Sequence, residues 1–164
     1  MPLTNPILIT SFTLALGLGI STGLHISRRP KALFSKLELL TELSGIPIQG
    51  FNKEGTIFLW NRASELTYGY PRKDAIGKKI IDLILIDSEK DVFMDNVANI
   101  YASGKPIPPR HWLITTHSGK KRNMYSTMFP YMADEKCQGI FCIGIDITDM
   151  KQHQEMLADS RADY

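Results

Sequence analysis

The sequence predicts an α+β fold, an antiparallel sheet carrying short helices, set behind one N-terminal transmembrane helix. Two observations predict it. Residues 7–26, ILITSFTLALGLGISTGLHI, contain no Asp, Glu, Lys or Arg, and a helix of that length rises about 30 Å, the thickness of a bilayer's hydrocarbon core. Beyond residue 45 the chain reads as two strand-like runs, several brief helical stretches and three more strand-like runs, an order that gives an antiparallel sheet with helices to one side. The 164 residues allow one ordinary domain with accessories.

Composition removes several function classes. Nineteen Lys and Arg against seventeen Asp and Glu leave a net charge of +2, without the basic excess of a nucleic-acid binder. Hydrophobic residues at 43 % and charged residues at 22 % are ordinary for a globular chain and argue against wholesale disorder. The two cysteines, Cys137 and Cys142, are too few for a disulfide framework or a four-ligand zinc site.

The elements follow in order. Residues 1–6 form a short extracytoplasmic tail without Lys or Arg, whereas a cleaved secretory signal would begin with positive charge. The transmembrane helix spans 7–27. Arg28, Arg29, Lys31 and Lys36 come after it, and basic residues stay on the cytoplasmic side. The expected setting is a single pass through a bacterial inner (cytoplasmic) membrane, N-terminus out and residues 28–164 in the cytoplasm. The same four side chains can touch anionic lipid, at about 1 kcal/mol each. Ser11, Ala15, Gly19 and Gly23 recur every fourth position, a flat face for a second transmembrane helix, from another copy or from a larger membrane complex. His25 stands four residues after Ser21, a spacing similar to that with which light-harvesting polypeptides seat a chlorin ring. It is the one candidate ligand for a chlorin or haem; the plainer reading is an imidazole at headgroup level.

Residues 28–44 read as an amphipathic juxtamembrane linker helix. Leu33, Leu37 and Leu40 lie at helical spacing, with Phe34 and Leu43 beside them and Lys36, Glu38 and Glu42 interleaved. Ser44-Gly45 ends it. The domain, 45–148, opens with strands at 47–52 and 57–61 around the turn Asn52-Lys53-Glu54-Gly55. A short helix over 62–70 precedes Pro71, and residues 74–84 give one or two helical turns broken at Gly77. Ser88 is placed to cap a longer helix through Tyr101, with Val92, Phe93, Asn96, Val97 and Ile100 as its apolar face and Gly104 as its stop. Strands at 111–117, 123–132 and 139–147 are separated by SGKKR and ADEK. Thr148 is placed to cap an exit helix over 149–164. There Met150 and Leu157 lie one heptad apart, with Ile147 and Gln154 as companions, a seam too short for a coiled coil alone.

The segment GFNKEGTIFLWNRASELTYGYPRKDAIGKKIIDL (50–83) resembles the front half of a PAS domain, and GIFCIGIDITDMKQHQEML (139–157) resembles its last strand and exit. Gly50, Asn61, Gly69, Tyr70, Gly77, Asp146 and Thr148 carry the likeness, which covers roughly residues 38–157. It implies five antiparallel strands ordered 2-1-5-4-3, with helices folded over one face to enclose a pocket. In many PAS proteins the exit helix continues into an output domain; here the chain stops at Tyr164, so none is expected.

No cofactor is expected, and any pocket ligand stays unspecified. Flavin-binding relatives use a cysteine in the short helix before the long one, and 80–91 has none; haem-binding relatives use a histidine in the long helix, and 88–105 has none. His111 and His117 read as two histidines on one face of a strand, short of a metal site. Asp82, Asp87 and Asp91 read as capping or solvated charges, and no catalytic signature occurs, so the chain is read as a non-enzyme. Two roles follow: a membrane-anchored module sensing a signal or binding a protein through its sheet or exit helix, or a structural accessory subunit of a larger membrane assembly, energy-converting or photosynthetic among the options, with the domain as its docking surface.

Overall fold

A computed structural model of the protein describes residues 36 and 38–162. The tail 1–6, the transmembrane segment 7–27 with Ser11, Ala15, Gly19, Gly23 and His25, and the basic residues Arg28, Arg29 and Lys31 lie outside the described residues. A leading helical turn over 38–42 comes first. It is followed by β1 (Ile48–Phe51), β2 (Ile57–Trp60), α1 (Arg62–Tyr68), α2 (Arg72–Ala75), α3 (Ile80–Leu83), α4 (Asp87–Ser103), β3 (Ile107–Thr115), β4 (Lys121–Ala133), β5 (Lys136–Asp146) and α5 (Thr148–Ala162). All strand pairs are antiparallel, in the order β2-β1-β5-β4-β3. That is the order the resemblance implies. Among the described residues no helix is long and apolar enough to cross a membrane.

The first hairpin closes as its turn chemistry requires. The Asn52 carboxamide accepts the Glu54 and Thr56 N–H groups, and Gly55 takes a left-handed φ of 76°. Gly69 (φ 80°) ends α1, and Gly104 (φ 65°) ends α4. Gly77 (φ 81°) separates α2 from α3. The β4–β5 turn places Asp134 and Glu135 both at positive φ, the geometry that matches the right-handed twist of a tight hairpin.

Four expectations are corrected. Ser88 does not cap the long helix: the backbone stays extended through Ile86 because Leu85 bridges to Ile114 in β3, and α4 starts at Asp87 without a side-chain cap. Val92 is 40 % exposed, so the buried stripe of α4 is Phe93, Val97 and Ile100. The third strand starts at Ile107 rather than 111 and carries Pro108 and Pro109, which β3 tolerates as a sheet edge with a register shift between Ile107 and Arg110. Thr148 does not cap α5; it is the helix's first residue, and its hydroxyl is engaged with neighbouring strands.

Helices cover one face of the sheet. Between them lies a core of Phe51, Ile57, Trp60, Tyr68, Ile80, Phe93, Val97, Ile100, Trp112, Ile114, Met124, Met128 and Ile140, where each large apolar side chain contributes roughly 1.5–3 kcal/mol. Phe93 joins it to both sides, its ring 5.3 Å from Phe51 and 5.5 Å from Trp112. The opposite face has an aromatic cluster of its own. Phe58, Phe129 and Tyr131 lie 5.8–5.9 Å from Phe141 on the central strand.

Candidate functional site

The helix-covered face encloses a cavity of about 20 Å³, lined by apolar side chains and by Gln49, Tyr68, Ser126 and Cys142. That is space for about one water molecule. Its polar side chains stand together on this wall, the Tyr68 phenol near Gln49 and the Cys142 thiol near Ser126. Burial raises the Tyr68 phenol above its ordinary range and pushes the Cys142 thiol up to about 11. Both are neutral at physiological pH.

From this cavity a buried hydrogen-bond chain runs to the leading turn. Gln49 Nε2 donates to Ser64 Oγ (2.8 Å), and Ser64 Oγ donates to Asn61 Oδ1 (2.7 Å). Asn61 is fully buried and uses its whole bonding capacity. Its oxygen also accepts the Ile48 and Ser64 N–H groups, each at 2.9 Å, capping α1. Its nitrogen donates to the Thr41 and Ile46 carbonyls at 2.8 and 2.9 Å. Ion pairs reinforce the attachment: Arg72 bonds Glu38 and Glu42 (3.1 Å to the latter), and Glu42 accepts the Arg62 N–H at 3.0 Å.

The exit is fastened at the same end of the sheet. Asp146, the last residue of β5, accepts the Thr148 N–H (2.9 Å) and hydroxyl and pairs with Arg122. Thr148 Oγ accepts the Asn123 N–H (2.9 Å), and Ile147 N–H donates to the Asn123 carbonyl (2.8 Å). Burial by itself would raise the Asp146 carboxyl, but its bonds from Thr148 and Arg122 together hold it below the usual carboxylate range. Ile48 of β1 lies opposite Ile143 of β5. Three residues further along a strand is about 10 Å, so the leading turn and α5 meet the sheet side by side.

The remaining sequence-singled residues do not converge on one place. Gly50 and Gly139 face Phe58, where a Cβ would come within 2.6 and 2.8 Å of its ring. The Tyr70 ring packs on His117 (4.6 Å), and its carbonyl accepts from Trp60. β3 ends at Thr115, so His117 leaves the strand to bond the Tyr68 carbonyl, while His111 bonds Asn123 across to β4 at 2.7 Å. The two histidines therefore share no site. Among the described residues, no cluster of three or more His, Cys, Asp or Glu is arranged to hold a metal. Lys36 is exposed, and Asp87 pairs with Lys90 at the helix surface (2.8 Å). Sequence reasoning missed Gln49 and Ser64, and it read Asn61 as a strand end; an Asn three residues before Ser64 was the available capping signal.

A model of the PAS fold matches residues 35–147 of the chain. The chain belongs to the PAS family. Members of the family are typically signal-sensing modules. Solved structures agree on the fold. A PAS domain from Colwellia psychrerythraea is 20 % identical over 71 % of this chain and 98 % of its own, with a TM-score of 0.63. The PAS domain of Bordetella pertussis BvgS is 22 % identical over 81 % and 99 %, with a TM-score of 0.59. The PAS domain of the Cronobacter turicensis quorum-sensing receptor RpfR, in complex with BDSF, is 23 % identical over 64 % and 96 %, with a TM-score of 0.54. A comparison with curated protein sequences finds no match.

Proposed function

We propose that this chain is a membrane-anchored PAS module that relays a signal between its interior, its leading turn and its exit helix to a protein partner, without chemistry of its own. The observation that carries the reading is the buried chain Gln49–Ser64–Asn61–Thr41, which joins the cavity wall to the segment leading back towards the membrane. In this reading residues 7–27 cross the inner membrane once with the N-terminus out. Ser11, Ala15, Gly19 and Gly23 meet a neighbouring transmembrane helix, and the sheet or α5 meets the partner in the cytoplasm. The RpfR domain belongs to a quorum-sensing receptor and is in complex with BDSF; here a compound larger than water must open the 20 Å³ cavity, and moving Gln49 would disturb the chain at its first link.

The test is hydrogen exchange on the full chain in nanodiscs, with and without candidate compounds. A sensor should show compound-dependent exchange at 38–46 that disappears in Gln49→Leu. A melting temperature and an exchange pattern unmoved by every compound would exclude sensing through the cavity.

A second reading, an accessory subunit docking through the sheet, is favoured by one observation. The face away from the helices has an apolar groove of about 250 Å³, lined by Thr41, Ile48, Phe129, Pro130, Tyr131, Met132, Phe141 and Ile143, none of them charged. Purification of the native protein in mild detergent should then return stoichiometric partners by mass spectrometry. Recovery of free monomer or homodimer alone would sink it.

A further inference from the structure

The leading turn is amphipathic in an unusual sense. Its polar side packs on the domain: Thr41 is buried, Glu38 and Glu42 are paired with Arg72, and Asn61 holds the Thr41 carbonyl. Its apolar side faces outward. Leu39, Leu40 and Leu43 are 62 %, 67 % and 78 % exposed, and Ile46 just beyond is 42 % exposed. At 100° per residue the three leucines fall within an arc of about 100°. Lys36, one turn before Leu40, is also exposed. The domain spends five hydrogen-bonding and ionic contacts fixing this turn with its leucines turned away from the core. Something outside the domain must cover them.

Charge and chain length select the occupant. The acidic side chains of the turn point towards the domain, where Glu38 and Glu42 share the single positive charge of Arg72, and Lys36 is the charge on the leucine side. In sequence, Arg28, Arg29 and Lys31 lie shortly before it, and Leu39 follows Ile26, the end of the uncharged run, by thirteen residues. Thirteen residues reach at most about 45 Å extended and about 20 Å as a helix. Leucines flanked by basic residues, at that range from a bilayer, match an interfacial surface: apolar side chains enter the headgroup boundary while lysine reaches the phosphates.

We propose that Leu39, Leu40, Leu43 and Ile46 seat on an anionic bilayer surface, with Lys36 beside them, so that the PAS domain lies against the membrane rather than hanging from a loose tether. The proposal rests on the membrane-held reading above. Through Asn61, whatever lifts the turn from the lipid is felt at Ser64 and Gln49, and the reverse holds by linkage.

The full chain bearing Leu40→Trp, in nanodiscs of brominated lipid with and without phosphatidylglycerol, tests it. Trp60 and Trp112 are buried in the domain and serve as an internal reference. Expected is bromolipid quenching of the introduced indole in anionic discs, weakened by salt. Lys36→Glu should lower the seated-to-free ratio about fivefold, and Leu39→Asp with Leu43→Asp should abolish seating. Quenching by aqueous acrylamide, equal in anionic and zwitterionic discs, would overturn the proposal while leaving the anchor intact. Shielding from acrylamide without bromolipid quenching, present only with two copies per disc, would overturn it in favour of a second copy. Alkaline extraction decides separately whether the chain is inserted; its release would remove the membrane-held reading itself.

Discussion

Replacing Asn61 with alanine removes the centre of the attachment between the leading turn and the domain. The side chain makes five hydrogen bonds, and those to the Thr41 carbonyl, the Ser64 N–H and the Ser64 hydroxyl are fully buried. Each stranded buried group costs about 1–3 kcal/mol, while water can reach the part-buried Ile48 and Ile46 partners, so the loss should be about 4 kcal/mol. For a domain of this size that lowers the melting temperature by roughly 15 °C. Asn61→Asp divides the effect. It keeps the oxygen that caps α1 and holds Ile48 but loses the nitrogen that binds Thr41 and Ile46. The leading turn should then exchange and proteolyse at 38–46 while α1 stays protected. Urea unfolding followed by fluorescence of the buried Trp60 and Trp112, with exchange mapped by mass spectrometry, measures both. An alanine variant within 1 kcal/mol of the parent, or an aspartate variant with an unaltered leading turn, would refute the clamp.

The Asp146 carboxyl is held below its ordinary range in the folded state, so its contribution is complete above the unfolded value of about 3.9 and is lost as pH falls through the lower folded value. Acidification below about pH 4 should therefore loosen α5, and Asp146→Asn, weaker from the outset, should lose much of that pH dependence; an identical acid profile by exchange at 147–152 contradicts the assignment. A Cβ on Gly144 would lie 2.7 Å from the Ser126 Cβ on the facing strand. Gly144→Ala should cost about 1–3 kcal/mol, and Ser126→Gly should restore most of it; failure of the rescue places the strain elsewhere.

The strand and helix order was legible because it rests on local chemistry. Gly55, Gly69, Gly77 and Gly104 each sit at a left-handed φ that a turn or helix end demands, and the apolar runs between them have the period of their elements. The errors fall where distant contacts override local preference. A pair of prolines reads as loop until β3 is seen to be a sheet edge, and Ser88 reads as a cap until Leu85 is seen bridging to Ile114. The functional residues were harder to read. Gln49 is an ordinary inward position in a strand, and nothing local says that it reaches Ser64 fifteen residues away.

By itself, then, the sequence determined the PAS fold, the uncharged run with its basic flank, and the linker's alternation of leucine and glutamate. Tertiary structure alone decided which side of the linker the domain takes. Periodicity gives a helix two faces, and the leucine face would ordinarily be assigned to the core. Here Asn61 and Arg72 bind the polar face, because a buried carbonyl needs a partner that only the folded chain brings within reach, and the same fold sets Arg72 beside the two half-buried carboxylates.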